Sequence, residues 1–307
     1  MTSQISPQQQ TNTDDRAVAR IVDAVSTLEG GGITVNRPLP SADLDLLDPF
    51  LLLDEMAPVV HPPGDAGPGV PPHPHRGFET VTYVIAGEVE HRDSAGNHGI
   101  IGPGDVQWMT AGDGIVHSEM PSERIRTEGG LGHGLQLWVN LPAHLRRTTP
   151  NYQALTADDL TVADGDGWSA TVIAGSLFGV VGPAATHTPV GLARLTVEPG
   201  SSVRLPITAG HMAAVYVFGG RADVGADGER LGSQQLAVFD RTGGDLVLST
   251  PDDLDEPFDG LILSGEPIGQ PIARYGPFVM NTKAEIMEAI DDFNAGRMGS
   301  IPAAGQA

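Results

Sequence analysis

Between Phe78 and Pro121 the chain reads FETVTYVIAGEVEHRDSAGNHGIIGPGDVQWMTAGDGIVHSEMP. Short alternating runs are closed by DSAGNHG, GPGD and AGDG. Alternation with a period of two puts successive side chains on opposite faces of a strand. Glycine- and aspartate-containing turns close such strands into hairpins. The same punctuation extends over the whole chain, which has 40 Gly and 25 Pro in 307 residues. Frequent turns between short apolar runs predict an all-β sandwich or barrel rather than helical layers. A hydrophobic share of 40% against 18% charged is enough to build a core.

The organisation follows from the same signals. Residues 1–15 are rich in Gln, Ser and Thr and read as a disordered tail. A first β-rich unit is expected over residues 16–145, a connector over 146–167, and a second unit over 168–299, with a short tail at 300–307. TYVIAGEV around Tyr83 and VYVFGGRA around Tyr216 match at an offset of 133 residues, with Gly87 and Gly220 equally placed. This suggests two copies of one barrel. One helix is predicted, in NTKAEIMEAIDDFNAGRMG. Thr282 and Glu285 form its capping box, Ile286, Ile290 and Phe293 its apolar face, and Gly296 its stop.

Several functions are disfavoured. Against 39 Asp and Glu stand 17 Lys and Arg, a formal charge of −22 with no basic run. Such a surface repels nucleic-acid phosphates and anionic lipid. There is no cysteine, so disulfides, thiolate metal sites and thiol nucleophiles are excluded. The polar N-terminus lacks a signal-peptide pattern and no apolar stretch spans a bilayer. A cytoplasmic monomer without direct nucleic-acid or membrane contact is expected.

The chemistry concentrates in PHPHRGFETVTY, Pro72 to Tyr83. Two histidines one residue apart can be a surface accident, a pH-sensitive patch or a pair of metal ligands. Pro72 and Pro74 favour extended backbone, and on a strand His73 and His75 share one face. His117 and Glu119 in IVHSEMP repeat that spacing. Neighbouring strands can therefore aim three imidazoles and one carboxylate into one interior, a donor set suited to a divalent first-row metal. Around them, Arg76 is a rim residue or an ordinary ion-pair partner. Glu79 either orients a ligand histidine or is a satisfied strand carboxylate. Gln107 and Gln136 lie on strands with either face open. His91 and His98 flank a hairpin turn and read as solvated, His61 and His144 as surface, and His133 as a buried hydrogen-bonding residue. Phe78, Trp108 and Trp138 read as core. Moving His73 and His75 by the repeat offset gives Pro206 and Thr208, while His187 and His211 stand alone. The second barrel is expected to be metal-free.

HPHRGFETVTYVIAGEVEHRDSAGNHG, GPGDVQWMTAGDGIVHSEMP, LQLWVNLP and YGPFVMNTKAEI together resemble the pirin family, from about Arg20 to Gly299. The resemblance implies a bicupin, two cupin-type (jelly-roll-like) β-barrels in tandem with a C-terminal helix. It implies one metal ion in the N-terminal barrel, held by His73, His75, His117 and Glu119. Iron(II) is the first choice, with Zn, Mn, Ni, Co or Cu as alternatives. Asp113 departs from the family, which often carries arginine there. The Pro/Gly loop before His73 is longer than usual.

Two classes of function follow from the resemblance. One is a quercetin 2,3-dioxygenase-like enzyme that opens a flavonol ring with dioxygen, Glu119 being the catalytic base; another enolic substrate would use the same ligands. The alternative is an iron-dependent redox-sensing regulator acting through a protein partner.

Overall fold

Residues 15–65 and 67–301 are described by the computed structural model; residues 1–14 of the expected tail at 1–15 and 302–307 of that at 300–307 lie outside them. Tyr83 and Tyr216 fall on corresponding strands, Phe78–Ala86 and Met212–Gly219, and Gly87 and Gly220 both turn the chain with positive φ. Each half pairs a seven-stranded sheet with a four-stranded one, giving two antiparallel barrels. In the first, the larger sheet runs Asn151–Leu155, Val106–Thr110, Phe78–Ala86, Gly130–Asn140, Phe50–His61, Ile33–Leu39, Val25–Glu29. The smaller runs Val70–His75, Ile115–Pro121, Val89–Asp93, His98–Ile101. The all-β bicupin expected from the sequence is the observed fold.

The two large sheets pack face to face. Leu135 and Leu137 of the first half share a core cluster with Leu192, Leu261 and Leu263 of the second. The tyrosines of the repeat cross this seam in opposite directions. Tyr216 donates its hydroxyl to Glu55 of the first barrel at 2.7 Å, and Arg194 of the second barrel approaches the Tyr83 hydroxyl at 3.5 Å.

Both ends of the chain cross the expected unit boundary. Val18–Asp23 pairs with Gln235–Phe239, in the second barrel's sheet. The expected connector holds two strands: Asn151–Leu155 pairs with Val106–Thr110 of the first barrel, and Thr161–Gly165 with Trp168–Ala174 of the second. The C-terminal helix, Lys283–Asn294, has the capping box on Thr282 and Glu285, and Gly296 follows with φ 74°. It packs on the first barrel, where Ile286 and Ala289 join Val116, Phe278 and Met280. Phe293 is 38% exposed, and Asp292 faces inward instead. Such choices are long-range pairings, which local periodicity does not encode.

The barrels differ inside. The second is filled by apolar side chains such as Val203, Val215, Leu231, Phe258 and Ile262. The first encloses a cavity of about 1040 Å³. Among the described residues, no helix is long and apolar enough to cross a membrane.

Candidate metal centre

Val70–His75 is an edge strand, where Pro71, Pro72 and Pro74 cost few ladder hydrogen bonds. It pairs antiparallel with Ile115–Pro121, setting His73 directly opposite His117 and His75 opposite Ile115. One ring nitrogen from each of His73, His75 and His117 lies within 4.8 Å of the others. Beyond His117 the register slips, so that Glu119 stands opposite Val70. Such a bulge re-aims a side chain.

Hydrogen bonds set the tautomers. His73 Nδ1 lies 2.9 Å from the Pro71 carbonyl, and His75 Nδ1 lies 3.3 Å from that of Pro277. A carbonyl only accepts, so each Nδ1 carries the proton and each Nε2 presents a lone pair. Those two Nε2 atoms face each other at 3.0 Å. Both ring nitrogens of His117 are buried, with no hydrogen-bond partner among the described residues. Burial, reinforced by the neighbouring imidazoles, holds His75 and His117 well below the ordinary histidine pKa. Neutral imidazoles with converging lone pairs fit a divalent first-row cation.

Glu119 stands apart from this close group. Its Oε1 accepts from Thr82 Oγ1 at 2.7 Å and from Gln107 Nε2 at 3.3 Å, and its Oε2 accepts from Gln136 Nε2 at 2.9 Å. Gln107 and Gln136 thus face the interior and hold the carboxylate. His73, His75, Glu119, Gln136 and Trp138 all line the cavity. Trp138 is therefore a wall residue, its ring 5.3 Å from that of His75, whereas Phe78 and Trp108 are fully buried.

The other candidates are elsewhere. Arg76 is buried; its Nε donates to the Asp113 carbonyl at 2.6 Å and its guanidinium pairs with Asp292 at 2.7 Å, fastening the C-terminal helix. Asp113 also takes Arg147 Nε at 2.7 Å, so it gathers arginines rather than standing free at a rim. Glu79 accepts from Thr110 Oγ1 and from His187 Nδ1, each at 2.8 Å, and bridges the two barrels; among the described residues it has no hydrogen bond to His73, His75 or His117. His187 is therefore a partner of Glu79, not a solitary residue. His133 bonds the buried Glu55 at 3.0 Å, as expected, and His144 and His98 are exposed. His61 is half-buried at the cavity mouth.

His91 departs from the expectation of a solvated residue. It is fully buried, stacked on Tyr152 at 4.7 Å and 5.5 Å from the His117 ring, with Nε2 3.1 Å from Asp93 Oδ2. The strand Val89–Asp93 lies beside Ile115–Pro121, pairing His91 with Glu119 and Asp93 with His117. The i, i+2 spacing of His91 and Asp93 was the available signal, masked by the turn next to it. Burial raises Asp93, but hydrogen bonds from His91 and Asn97 outweigh it and leave the carboxyl below its usual range. Burial, with Asp93 and Glu119 nearby, pushes the Tyr152 phenol up to about 12. Thr82 and the Pro277 carbonyl were also missed, because nothing local marks either.

Residues 32–139 match the family model Pirin, and residues 192–299 match the Pirin C-terminal cupin domain. The chain belongs to the pirin family. Pirin-like protein 2 of Arabidopsis thaliana is 40% identical, covering 92% of this chain and 86% of its own. Human pirin is 37% identical, with 88% and 90% covered. The crystal structure of quercetin 2,3-dioxygenase from Acinetobacter baumannii superposes with a TM-score of 0.85 at 41% identity, covering 94% of this pirin and 99% of that chain. Among the described residues the metal-capable cluster of this pirin lies in the first barrel alone.

Proposed function

We propose that this pirin is a metal-dependent dioxygenase that opens the central ring of a flavonol such as quercetin. The observation that carries the reading is the convergence of three imidazoles, two of them on the wall of a large cavity, with a carboxylate beside them. The likeness to quercetin 2,3-dioxygenase supports it. His73, His75 and His117 hold one divalent ion, iron(II) by first choice, and Glu119 completes the set as a fourth ligand or as the base. When bound, such an ion supplies Lewis acidity toward an enolic hydroxyl and a redox partner for dioxygen.

The chain's own residues do the rest. Glu119 accepts the proton of the substrate's enolic hydroxyl, and Thr82, Gln107 and Gln136 keep its carboxylate aimed at that position. Trp138 and Leu52 give the flat ring system an apolar wall and keep water from the reacting carbons. The proline carbonyls on His73 and His75 fix both rings through turnover.

The test is anaerobic reconstitution with iron, followed by dioxygen uptake on adding quercetin. Uptake that follows quercetin consumption and disappears in His117→Ala supports the reading. No uptake with fully loaded protein overturns it.

A further inference from the structure

One rung of the cavity wall is polar where its neighbours are apolar. On Phe50–His61, Leu52 and Met56 flank Asp54, and all three line the cavity. On Gly130–Asn140, Gly134 and Trp138 flank Gln136 in the same way. Register aligns the polar members: Gln136 stands opposite Thr82 on one side and Asp54 on the other. The next strand adds Arg37, whose Nε and Nη2 grip Asp54 Oδ1 and Oδ2 at 2.6 and 2.5 Å. Glu29 at the mouth takes Nη2 as well, at 2.7 Å. A polar row thus runs from Glu119 through Gln136 to Asp54 and Arg37.

The far end of that row has spare capacity. The side chains of Asp54 and Arg37 are 5% and 17% exposed. A desolvated ion pair contributes little net stability against an apolar replacement, so stability alone does not explain it in a cavity wall. Each Asp54 oxygen keeps a lone pair beyond its bond to Arg37. Among the described residues Arg37 Nη1 has no protein hydrogen-bond partner. The pair therefore offers an acceptor and a donor side by side, Asp54 one strand spacing (about 5 Å) and Arg37 two (about 10 Å) from Gln136. Two adjacent hydroxyls on one aromatic ring match it, one donating to Asp54 and the other accepting from Arg37.

From this geometry we infer that Asp54 and Arg37 form a second anchoring point, which binds the hydroxylated pendant ring of the substrate while its enolic edge lies at the metal centre. This subsite rests on the reading of the cavity as a flavonol site. It makes Asp54 and Arg37 specificity residues rather than catalytic ones.

The test is equilibrium binding to the metal-loaded protein without dioxygen, followed by quenching of tryptophan fluorescence. Quercetin, with two adjacent hydroxyls on its pendant ring, is compared with galangin, the same flavonol lacking both. The intact protein binds quercetin about tenfold more tightly, as expected for hydrogen bonds to charged partners. Asp54→Asn reduces that preference below about threefold and leaves galangin affinity within about twofold. Arg37→Lys keeps a cation opposite Asp54 but loses the fork; it gives the same change and serves if Asp54→Asn does not fold. Absence of the preference in the intact protein, its survival in a folded variant, or equal loss of both flavonols overturns the subsite. Failure of the dioxygenase reading is distinct: the preference and its loss in Asp54→Asn persist while dioxygen uptake is absent.

Discussion

His73 and His75 present Nε2 to Nε2 across 3.0 Å, each with its Nδ1 committed to a proline carbonyl. Two lone pairs so placed repel unless a cation lies against them, and among the described residues the third imidazole, His117, has no other partner for its buried nitrogens.

Removal of one of these rings therefore removes the ion. The intact protein should take up about one metal ion per chain, and His117→Ala near none. Elemental analysis after dialysis checks the stoichiometry. Full loading of His117→Ala would place the ion elsewhere.

Glu119→Gln separates holding metal from moving a proton. The imidazoles keep the ion, while loss of the base lowers flavonol turnover roughly 100- to 10,000-fold. Metal content and dioxygen uptake measured on one sample decide it, since unchanged turnover is incompatible with a base at this position.

Gly77 follows the pair His73 and His75 with φ 89°, and a Cβ there would sit 1.8 Å from the Val279 carbonyl oxygen. Gly77→Ala must push back the hairpin that carries Pro277. We expect a loss of about 2 kcal/mol or more in denaturant unfolding. Metal affinity should fall about 10- to 100-fold as His75 loses its carbonyl.

The contact between Glu79 and His187 makes the seam between the barrels sensitive to pH. The hydrogen bond to Glu79 raises His187, with burial opposing and the carboxylate's charge adding to the rise. A folded pKa above the unfolded value near 6.5 gives stability that is fully present below pH 6.5 and lost as pH rises through the folded value. His187→Gln should thus destabilise the protein more at about pH 6 than at about pH 9 in guanidinium titrations. Equal losses would show that the imidazole's charge does not matter.

Tyr216→Phe deletes one of the two donors to the buried Glu55, leaving His133. A cost of about 1–3 kcal/mol is expected for the lost donor. Tyr83→Phe, whose hydroxyl has among the described residues only the 3.5 Å approach of Arg194, should cost less.

The sequence made the barrels and the histidines legible for one physical reason. Strand alternation and i, i+2 spacing are local, and they already place His73 and His75 on one face. The offset between Tyr83 and Tyr216 carried the duplication. What escaped depends on pairing between distant segments. Val18–Asp23 looks like any first strand, and only the register with Gln235–Phe239 assigns it to the second barrel. His91 reads as a turn-flanking residue until Tyr152 arrives from the expected connector to cover it. Arg37 and Asp54 are 17 residues apart and form a pair only across adjacent strands.

The acceptor for His75 Nδ1 lies 202 residues downstream, at Pro277. Synthesis proceeds from the N-terminus, so His73, His75 and His117 leave the ribosome well before that carbonyl exists. Until then the His75 ring is free to turn and either nitrogen can carry its proton. A finished pocket therefore awaits the synthesis of residue 277, and a premature stop before it leaves the ring without its latch even if all three histidines are present.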